Sequence, residues 1–579
     1  MPESKSVIDL TRIPFGGPHC GVLVYEENNC DGTDIKPGLY LGARIQGGEH
    51  RREGGIVDIV PIVNGEPVAY TYEATPTALK LTAAEGGVTL IVDTDSTARL
   101  FGRGVGIKLY AKFPFYSMMN AAILPGDLLD LSLMGTTMNG GRYLMKPLKG
   151  RPVCHSVFNP STNGPDDARV ELLPDENGEL DFEIYTMNPD EWGYVDAVPA
   201  ADAVLAAEKR FDEYRAKYPA FPEQYVCLRD PAVYAVWIHR ENPNRVDFYP
   251  VMTEEVIYSG RLSRGWANAY EQPLHAMAFA DTEEELRLIR AMFMSMSNGM
   301  LPGTLSTTKV FYQAGPPTQG AAVLDLLRKT GGKLEADKAA ELYGLMKQNY
   351  GWWKASHSFG EHRFSYNHRD ELCLPGASYD ALEFPLETPD LYALMILYAE
   401  ALEKLAALAG EDGACWNGEA KGLLETLKGL WNGESFDCRS VRSGQRTATD
   451  SLLARVPVIL GGRLEKEVLD ALCADLGSET RFLAKAGFAT ESMTGAMYAP
   501  AEEGRGACVM WLNELVMDGL FNAGCTELAK KAAERVLDFA KAGGAASVVS
   551  TGEEPYVFRP GGAVNAVTGS ALICLAGRL

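Results

Sequence analysis

The spacing of hydrophobic and polar positions divides the chain into two parts with different periods. Over residues 1–199, short β-branched runs alternate with Gly and Asp turns, as in "ALKLTAAEGGVTLIVDTDSTARLFGRGVGIKLYAKF". This alternation is typical of antiparallel strands. In "RVELLPDENGELDFEIYTM", the central "DENGE" predicts the turn of a β-hairpin. We therefore predict an N-terminal β-sandwich domain.

From about residue 226 onward, apolar positions recur every three or four residues, which is the period of an amphipathic helix. Examples are "PDLYALMILYAEALEKLAALAG" and "TELAKKAAERVLDFAKAGG", and several such segments end in Gly, a common helix C-cap. Roughly ten to twelve helices are predicted, joined by long and tight loops in alternation. This pattern favours an (α/α)6 toroid whose long loops build a pocket at one end. A helical solenoid is the alternative, but no fixed repeat period is present.

We predict three regions along the chain, because 579 residues exceed what one ordinary core holds. Residues 1–199 form the β-sandwich domain, and residues 226–579 form the (α/α)6 domain. Between them, residues 200–225 begin with the charged helical segment "AADAVLAAEKRFDEYRAKYP" and form a linker. The fold class is thus mainly α with an N-terminal β domain.

Charge and hydropathy narrow the choice of partners. The formal net charge is −23, whereas nucleic acids and anionic membranes attract basic surfaces. No run of 18 apolar residues occurs, and the start "MPESKSVIDLTRIPFG" lacks the apolar region of a signal peptide. We therefore expect no nucleic-acid or membrane partner. A monomer or small homo-oligomer that acts on a neutral small molecule or glycan fits this composition.

The cysteines indicate a reducing compartment. Eleven cysteines are scattered singly along the chain, and none forms a CxxC pair. Such an unpatterned set is typical of reduced thiols in the cytoplasm, so we expect a cytoplasmic protein. We expect no cysteine-held zinc, no other metal and no cofactor.

Aromatic, acidic and histidine residues cluster in two loop-rich segments, "RGWANAYEQPLHAMAFA" and "QNYGWWKASHSFGEHRFSYNHRDELCLPGASYD". Aromatic faces stack on sugar rings, while carboxylates and imidazoles hydrogen-bond hydroxyl groups and move protons. The cluster therefore predicts a carbohydrate pocket, although core aromatics and surface charges would give the same residues singly. The candidate substrate-binding residues are Trp266, Tyr270, Glu271, Trp352, Trp353, His357, His368, Asp370 and Glu371.

The order of segments in residues 226–579 resembles glycoside hydrolase family 63, with its related trehalases, mannosylglycerate hydrolases and bacterial α-glucosidases. The matching segments are "WANAYEQPLHAMAFA", "NGMLPGTL", "AGPPTQGAAVLDLLRKTG", "YGWWKASHSF", "GASYDALEFPLETPDLYALMILYAEALEKLAALAG", "GFATESMTGAMY" with "GRG", and "LVMDGLFNAGCTELAKKAAERVLDF". The resemblance implies an inverting hydrolase of an α-linked glucoside or mannoside. It implies that Asp380 is the general acid and that Arg505 binds substrate. Asp390 is better explained as a first-turn charge that complements the helix dipole.

The general base is where this sequence departs from the family pattern. The family has a Glu shortly before a T-G-E turn, whereas Ala545 and its neighbours occupy that position here. The turn itself is present from Thr551 to Glu553. An inverting glycosidase needs a second carboxyl group about 6.5–9.5 Å from the acid. The candidates for it are Glu553 or Glu554 in the same loop, Glu491 and Glu371.

Two other functions stay open at this stage. One is an (α/α)6 lyase, epimerase or unsaturated-uronide hydrolase, in which His357, His362 and His368 would act as proton shuttles. The other is a catalytically inactive carbohydrate-binding relative, which the altered base segment favours.

Overall fold

A computed structural model describes most of the chain. The described residues are 8–27, 37–42, 57–94, 96–111, 118–134, 142–159, 164–186, 198–241, 254–259, 266–305, 310–552 and 564–579. Glu553 and Glu554 lie outside them. Within these ranges, no helix is both long enough and apolar enough to span a membrane.

The N-terminal region consists of antiparallel strands. They are β1 (Phe15–Gly16), β2 (Leu23–Glu27), β3 (Gly38–Gly42), β4 (Val57–Val63), β5 (Glu66–Pro67), β6 (Tyr70–Ala74), β7 (Ala78–Ala83), β8 (Gly86–Val92), β9 (Thr97–Arg103), β10 (Gly106–Ala111), β11 (Met118–Leu124), β12 (Leu128–Met134), β13 (Arg142–Lys149), β14 (Arg151–Asn159), β15 (Gly164–Leu173) and β16 (Glu179–Thr186). One sheet has the order β1-β2-β3-β4-β10-β15-β14, with β5 paired to β4, and the other has the order β11-β12-β13-β16-β9-β8-β7-β6. One hydrophobic core takes side chains from both sheets, as in a β-sandwich.

The predicted hairpin around "DENGE" is wrong. β15 and β16, on either side of this turn, pair in different sheets. The turn itself forms, because the Asp175 carboxylate accepts the backbone amides of Asn177 and Glu179. It carries the chain from one sheet to the other, since each strand turns its apolar face towards the core between the sheets. The turn sequence thus predicted correctly that the chain reverses its direction here, but it did not predict which strands β15 and β16 pair with.

The remainder of the chain is mainly helical. Its helices are α1 (Ala200–Arg215), α2 (Arg229–Trp237), α3 (Glu271–Met277), α4 (Thr282–Ala291), α5 (Gln319–Lys329), α6 (Ala336–His357), α7 (Pro389–Ala409), α8 (Ala414–Lys428), α9 (Lys466–Leu476), α10 (Met510–Asn522), α11 (Thr526–Phe539) and α12 (Ala566–Arg578). Short 3-10 or π-helical turns are Glu223–Leu228, Met292–Ser295, Arg369–Leu372, Ser378–Ala381, Leu452–Arg463 and Ala540–Gly544.

Short strands lie in the loops between these helices. They are β17 (Arg240–Glu241), β18 (Val256–Ile257), β19 (Ala267–Asn268), β20 (Thr304–Leu305), β21 (Val310–Phe311), β22 (Ser358–Gly360), β23 (Arg363–Phe364), β24 (Leu386–Glu387), β25 (Asp437–Ser440), β26 (Arg446–Ala448), β27 (Leu483–Ala484), β28 (Gly487–Phe488), β29 (Cys508–Val509) and β30 (Val548–Val549). They form small sheets of two or three antiparallel strands.

The helices of the described residues form a closed ring with an outer layer. The ring members α3, α5, α7, the Leu452–Arg463 helix, α10 and α12 each contact the next, and α12 contacts α3. α2, α4, α6, α8, α9 and α11 lie outside and pack against members of the ring. This pairing of inner and outer helices is that of an (α/α)6 toroid. The predicted order of a β-rich region followed by a helical region is confirmed.

Inner and outer helices differ in their burial. α7 belongs to the ring and is buried around most of its circumference. Pro389 stands in its first turn, and Gly410 ends it in a left-handed conformation. The outer helix α11 buries a single stripe of side chains at helical spacing, namely Ala529, Ala532, Ala533, Val536 and Leu537.

The charged helix α1 contacts both regions. Its Arg210 donates to the carbonyl of Val92 in β8 at 2.8 Å. Its Arg215 forms an ion pair of 3.1 Å with Asp230 in α2. The domain boundaries at residues 199 and 225 stay a prediction.

Candidate active site

Asp380 lies in the short 3-10 helix Ser378–Ala381, in the loop before α7. The backbone N–H of Gly376 donates to its Oδ2 at 3.2 Å, and Gly376 has a φ of 75°, which favours glycine. Burial raises the pKa of Asp380 above its ordinary value, although the charges of Arg369 and Arg505 oppose the shift. Asp380 therefore holds its proton more tightly than an exposed aspartate does.

Glu491 lies directly behind this turn. The Ser378 hydroxyl, two residues before Asp380, donates to Glu491 Oε2 at 2.9 Å. Burial raises the pKa of Glu491 to about 7, and the nearby charge of Asp450 adds to the shift. The charge of Arg505 lowers the pKa of Glu491, as it does that of Asp380. The structure thus brings together two carboxyl groups that are distant in sequence, with one arginine acting on both.

The loop that carries Arg505 is held tightly against the Asp380 turn. A Cβ added at Gly504 would lie 2.3 Å from the backbone nitrogen of Ala377, so only glycine allows this approach. Thr490 Oγ1 accepts the N–H of Gly506 at 2.9 Å. Thr551, at the start of the T-G-E turn, donates its hydroxyl to the Gly506 carbonyl at 2.7 Å. The turn that precedes Glu553 is therefore anchored beside Arg505.

Glu271 is a third buried carboxyl group, at the start of α3. Asn268 Nδ2 donates to it at 2.9 Å, Tyr270 donates its hydroxyl at 3.1 Å, and Ser259 donates a further hydroxyl. Burial raises the pKa of Glu271, and the charge of Glu503 raises it further. Because Glu503 is two residues before Arg505, this cluster borders the loop that faces Asp380.

A cavity between α3, α5 and α6 is lined by aromatic and amide side chains. Tyr270, Trp352 and Trp353 contribute to its walls, together with Gln319 and Asn349. Its volume of about 20 Å³ has room for a water molecule but not for a sugar ring. Trp266 lies in a separate contact, with its ring edge-to-face against Phe311 at 5.3 Å between centroids.

His357 and Glu371 support this wall from behind. The buried His357 ring packs on Trp352 and Trp353, at 4.9 and 4.6 Å between centroids. Its Nε2 lies 3.3 Å from Glu371 Oε1, and Glu371 Oε2 accepts the N–H of Asn367 at 2.6 Å. These contacts position the tryptophans rather than exposing the imidazole to a substrate.

The other histidines have separate partners. His368 is exposed and caps the turn Arg369–Leu372 by accepting the N–H of the exposed Asp370 at 3.3 Å. His362 Nδ1 lies 3.0 Å from Glu419 Oε2. Since the three histidines bind three different carboxylates, they do not form the proton-shuttle pair that an epimerase or a lyase would use.

Sequence reasoning did not single out Ser378, Arg369, Glu503 or Gly504. The segment "EEGRG" was the available signal for Glu503 and Gly504, because glycines on both sides of an arginine indicate close backbone packing. Ser378 and Arg369 have no such signal, because their roles depend on side chains remote in sequence. Among the described residues, no group of three or more His, Cys, Asp or Glu side chains is arranged to hold a metal ion.

Residues 361–549 match the family model of the "Mannosylglycerate hydrolase MGH1-like glycoside hydrolase domain". The matched segment contains Asp380, Glu491 and Arg505. No curated protein matches the chain.

Solved structures that this chain matches include the GH63 mannosylglycerate hydrolase from Thermus thermophilus. Its complex with glucose has 14% identity and a TM-score of 0.46, and the match covers 54% of this chain and 92% of that chain. Its complex with Tris and D-glycerate has 14% identity and a TM-score of 0.46, and the match covers 54% of this chain and 93% of that chain. A sialidase has 10% identity and a TM-score of 0.45, over 81% of this chain and 51% of that chain.

The matched segment, which carries the buried carboxyl groups described above, is similar to a glycoside hydrolase domain. The sequence departs from the pattern expected of that domain at the predicted base segment, where Ala545 and its neighbours stand at the position predicted for a glutamate.

Proposed function

We propose that the protein is an inverting glycoside hydrolase that acts on an α-linked glucoside or mannoside, with Asp380 as the general acid and Glu491 as the general base. One observation carries the proposal. Asp380 lies in the turn Ser378–Ala381, and Glu491 accepts a hydrogen bond from Ser378 of the same turn. The pKa values of both carboxyl groups are raised, and the charge of Arg505 acts on both. Such perturbed pairs are typical of catalytic sites. The resemblance to family 63 and the name of the matching family model support the choice of sugar and linkage.

In the proposed reaction, Asp380 gives its proton to the glycosidic oxygen while the bond from that oxygen to the anomeric carbon breaks. Glu491 takes a proton from water, and the water oxygen bonds to the anomeric carbon from the opposite face. One carbon–oxygen bond is broken and one is formed, which releases an alcohol and a sugar of inverted anomeric configuration. The two carboxyl groups exchange protons with solvent before the next cycle.

The remaining site residues bind the substrate in this proposal. The partly exposed Tyr270 and Trp352 offer aromatic surface to the sugar ring, and the buried Trp353 packs behind Trp352. Glu271 hydrogen-bonds its hydroxyl groups, and its raised pKa adds donor capacity in the protonated form. Arg505 and Arg369 stabilise the carboxylate of Asp380 after it has lost its proton.

A second candidate function is sugar binding without catalysis. Glu491 is only 2% exposed, and the Ser378 hydroxyl occupies one of its oxygens. A general base needs access to a water on the face of the sugar opposite the acid. The depth of Glu491 therefore favours this alternative as long as no other carboxylate supplies the base.

Proton NMR with a panel of α- and β-linked disaccharides and aryl glycosides separates the two functions. For a hydrolase we expect release of a single inverted anomer, lost in Asp380→Asn and in Glu491→Gln but kept in Glu502→Gln. Glu502 is the matched control, because it is an exposed glutamate 3.9 Å from Arg505. Saturable sugar binding without turnover would establish the binding protein, and release of the retained anomer would contradict the inverting mechanism.

We also propose that the protein acts in the cytoplasm as a monomer or small homo-oligomer. No disulfide joins cysteines of the described residues, in keeping with a reducing compartment. Mass photometry of the purified protein and fractionation of its host cells test these two points.

A further inference from the structure

A small sheet beside the proposed site has an uncharged, partly open face. In the sheet β19-β20-β21, Asn268 is paired with Thr304, and Thr304 is paired with Phe311. Residues paired directly across neighbouring strands place their side chains on the same face. Asn268, Thr304 and Phe311 therefore share one face. The opposite face carries the buried Ala267 and Leu305.

Trp266 extends this face beyond the end of β19. Side chains alternate along an extended strand, so Trp266 lies on the same side as Asn268. The contact of 5.3 Å between the ring centroids of Trp266 and Phe311 agrees with this placement. Phe311 is 49% exposed, although a large aromatic side chain is normally covered. Two aromatic rings and two neutral polar groups thus form one surface, which we call the Trp266–Phe311 face.

The Trp266–Phe311 face is continuous with the proposed active site. Thr304 donates its hydroxyl to Asn268 Oδ1 at 3.1 Å. Asn268 Nδ2 in turn donates to Glu271 Oε2 at 2.9 Å. These two hydrogen bonds link the face to the buried Glu271 carboxyl group.

The size and the charge of the Trp266–Phe311 face indicate which kind of ligand it can bind. Its four side chains are all neutral, so they offer no cationic group to an anion or a phosphate. Two partly exposed aromatic side chains bury roughly 200 Å² at most, whereas a stable protein interface needs about 800 Å² per partner. A neutral sugar ring, with an apolar face and a rim of hydroxyl groups, matches both the rings and the Asn268 and Thr304 side chains.

We propose that the Trp266–Phe311 face is an outer sugar-binding subsite, which makes a neutral oligosaccharide rather than a single sugar unit the preferred ligand. The inference rests on the proposed function and deepens it, because it assigns a length and a charge to the substrate. In this proposal the ring of Phe311 stacks on the sugar, and the edge-to-face contact with Trp266 fixes the orientation of that ring. Asn268 connects the subsite to Glu271.

Calorimetric titration with neutral α-linked sugars of one to four units tests the proposal, using Asp380→Asn so that no ligand is consumed. We expect affinity to rise about five- to tenfold when the chain becomes long enough to reach the Trp266–Phe311 face. Adding Phe311→Ala should abolish that rise and leave the affinity for the monosaccharide unchanged. Tyr312→Ala is the matched control, because Tyr312 is a neighbouring aromatic, 46% exposed, whose hydroxyl donates to Ser295.

The outcomes separate the subsite from the function of the site as a whole. Monosaccharide binding without any gain from chain length, or an equal effect of Phe311→Ala and Tyr312→Ala, would overturn the subsite and leave the proposed function intact. Absence of binding for every sugar would overturn both. If Phe311→Ala only converts a dimer to a monomer, the face is a contact between copies and the proposal is wrong.

Discussion

Glu491 and Glu387 are two buried glutamates near the same loop, yet their surroundings differ. Glu387 in β24 accepts hydrogen bonds from Arg363 at 2.7 Å and from Arg439 at 2.8 Å, and the Tyr392 hydroxyl donates at 2.6 Å. Although burial would raise the pKa of Glu387, these donors hold it below its ordinary value. Glu491 instead accepts a neutral hydroxyl, and burial raises its pKa to about 7.

The difference shows why one buried glutamate stays ionised while the other takes up a proton near neutral pH. Two guanidinium groups compensate the charge of Glu387, so this residue ties β23, β24 and β25 together behind the site. The charge of Glu491 is compensated only through space, by Arg455 and Arg505. A carboxyl group that is buried without a matching ion pair exchanges protons near neutral pH, which is a property that catalysis uses and stability does not.

Loss of the proposed acid should have the largest effect of any single change. Asp380→Asn should lower kcat by about 10²- to 10⁴-fold, since general acid catalysis contributes that much. Thermal unfolding should hardly change, because Asp380 is only half-buried. Steady-state kinetics should also show a smaller loss for aryl glycosides with acidic leaving groups, which need less protonation. An equal loss for all leaving groups would contradict the role of acid.

Glu387→Gln should show the opposite behaviour: the free energy of unfolding should fall, while kcat should change little. It would leave Arg363 and Arg439 without their shared carboxylate, and breaking a buried pair costs about 3–5 kcal/mol. Because both arginines are partly exposed, solvent should reduce the loss to about 2–3 kcal/mol. Urea denaturation measures it. A stable Glu387→Gln protein with lost activity would erase the contrast with Glu491.

The two glutamates should also give stability profiles of opposite slope with pH. The folded-state pKa of Glu491 lies above its ordinary value of 4.5. Its contribution to the free energy of unfolding is therefore complete below about pH 4.5 and is lost as the pH rises through about 7. The loss should be up to about 3 kcal/mol, less what solvent screens. The contribution of Glu387, whose pKa is lowered, is present above its ordinary pKa of 4.5 and is lost in acid.

Denaturant unfolding from about pH 2 to about pH 8 covers both slopes. Glu491→Gln and Glu387→Gln are each expected to remove one of them. Activity near pH 7 adds a second readout. A rise of kcat/KM with pH indicates that Glu491 must be ionised, as a base is. A fall indicates that Glu491 is the acid, and the assignment with Asp380 would then be reversed.

Gly504→Ala should give the smallest effect and test the packing between the two loops. The added Cβ would meet the backbone of Pro375 and Ala377 at 2.6 and 2.3 Å, so the loops must move apart. Overpacking of this kind costs about 1–3 kcal/mol. We expect a matching fall in the melting temperature and a loss of activity, because Arg505 moves away from Asp380. Gly462→Ala, with open space at its Cβ, is the control.

How far the sequence predicts this molecule differs from element to element. The helical period from residue 226 predicted the paired helices, because an amphipathic helix needs a partner for its apolar face. The position of Asp380 before "PDLYAL" came from a motif that is local in sequence. The hairpin at "DENGE" was wrong, because a local turn signal does not state which sheet each strand joins. The role of Glu553 stays a prediction.

The sequence by itself determined the fold class, the net charge and the loop that holds Asp380, because these depend on local period and composition. Only the tertiary structure decided which carboxyl groups stand near that aspartate. Ser378 and Glu491 are 113 residues apart, and Asn268 and Glu271 come from a different loop again. Proton affinity depends on burial and on neighbouring charges, and packing alone brings such distant residues together.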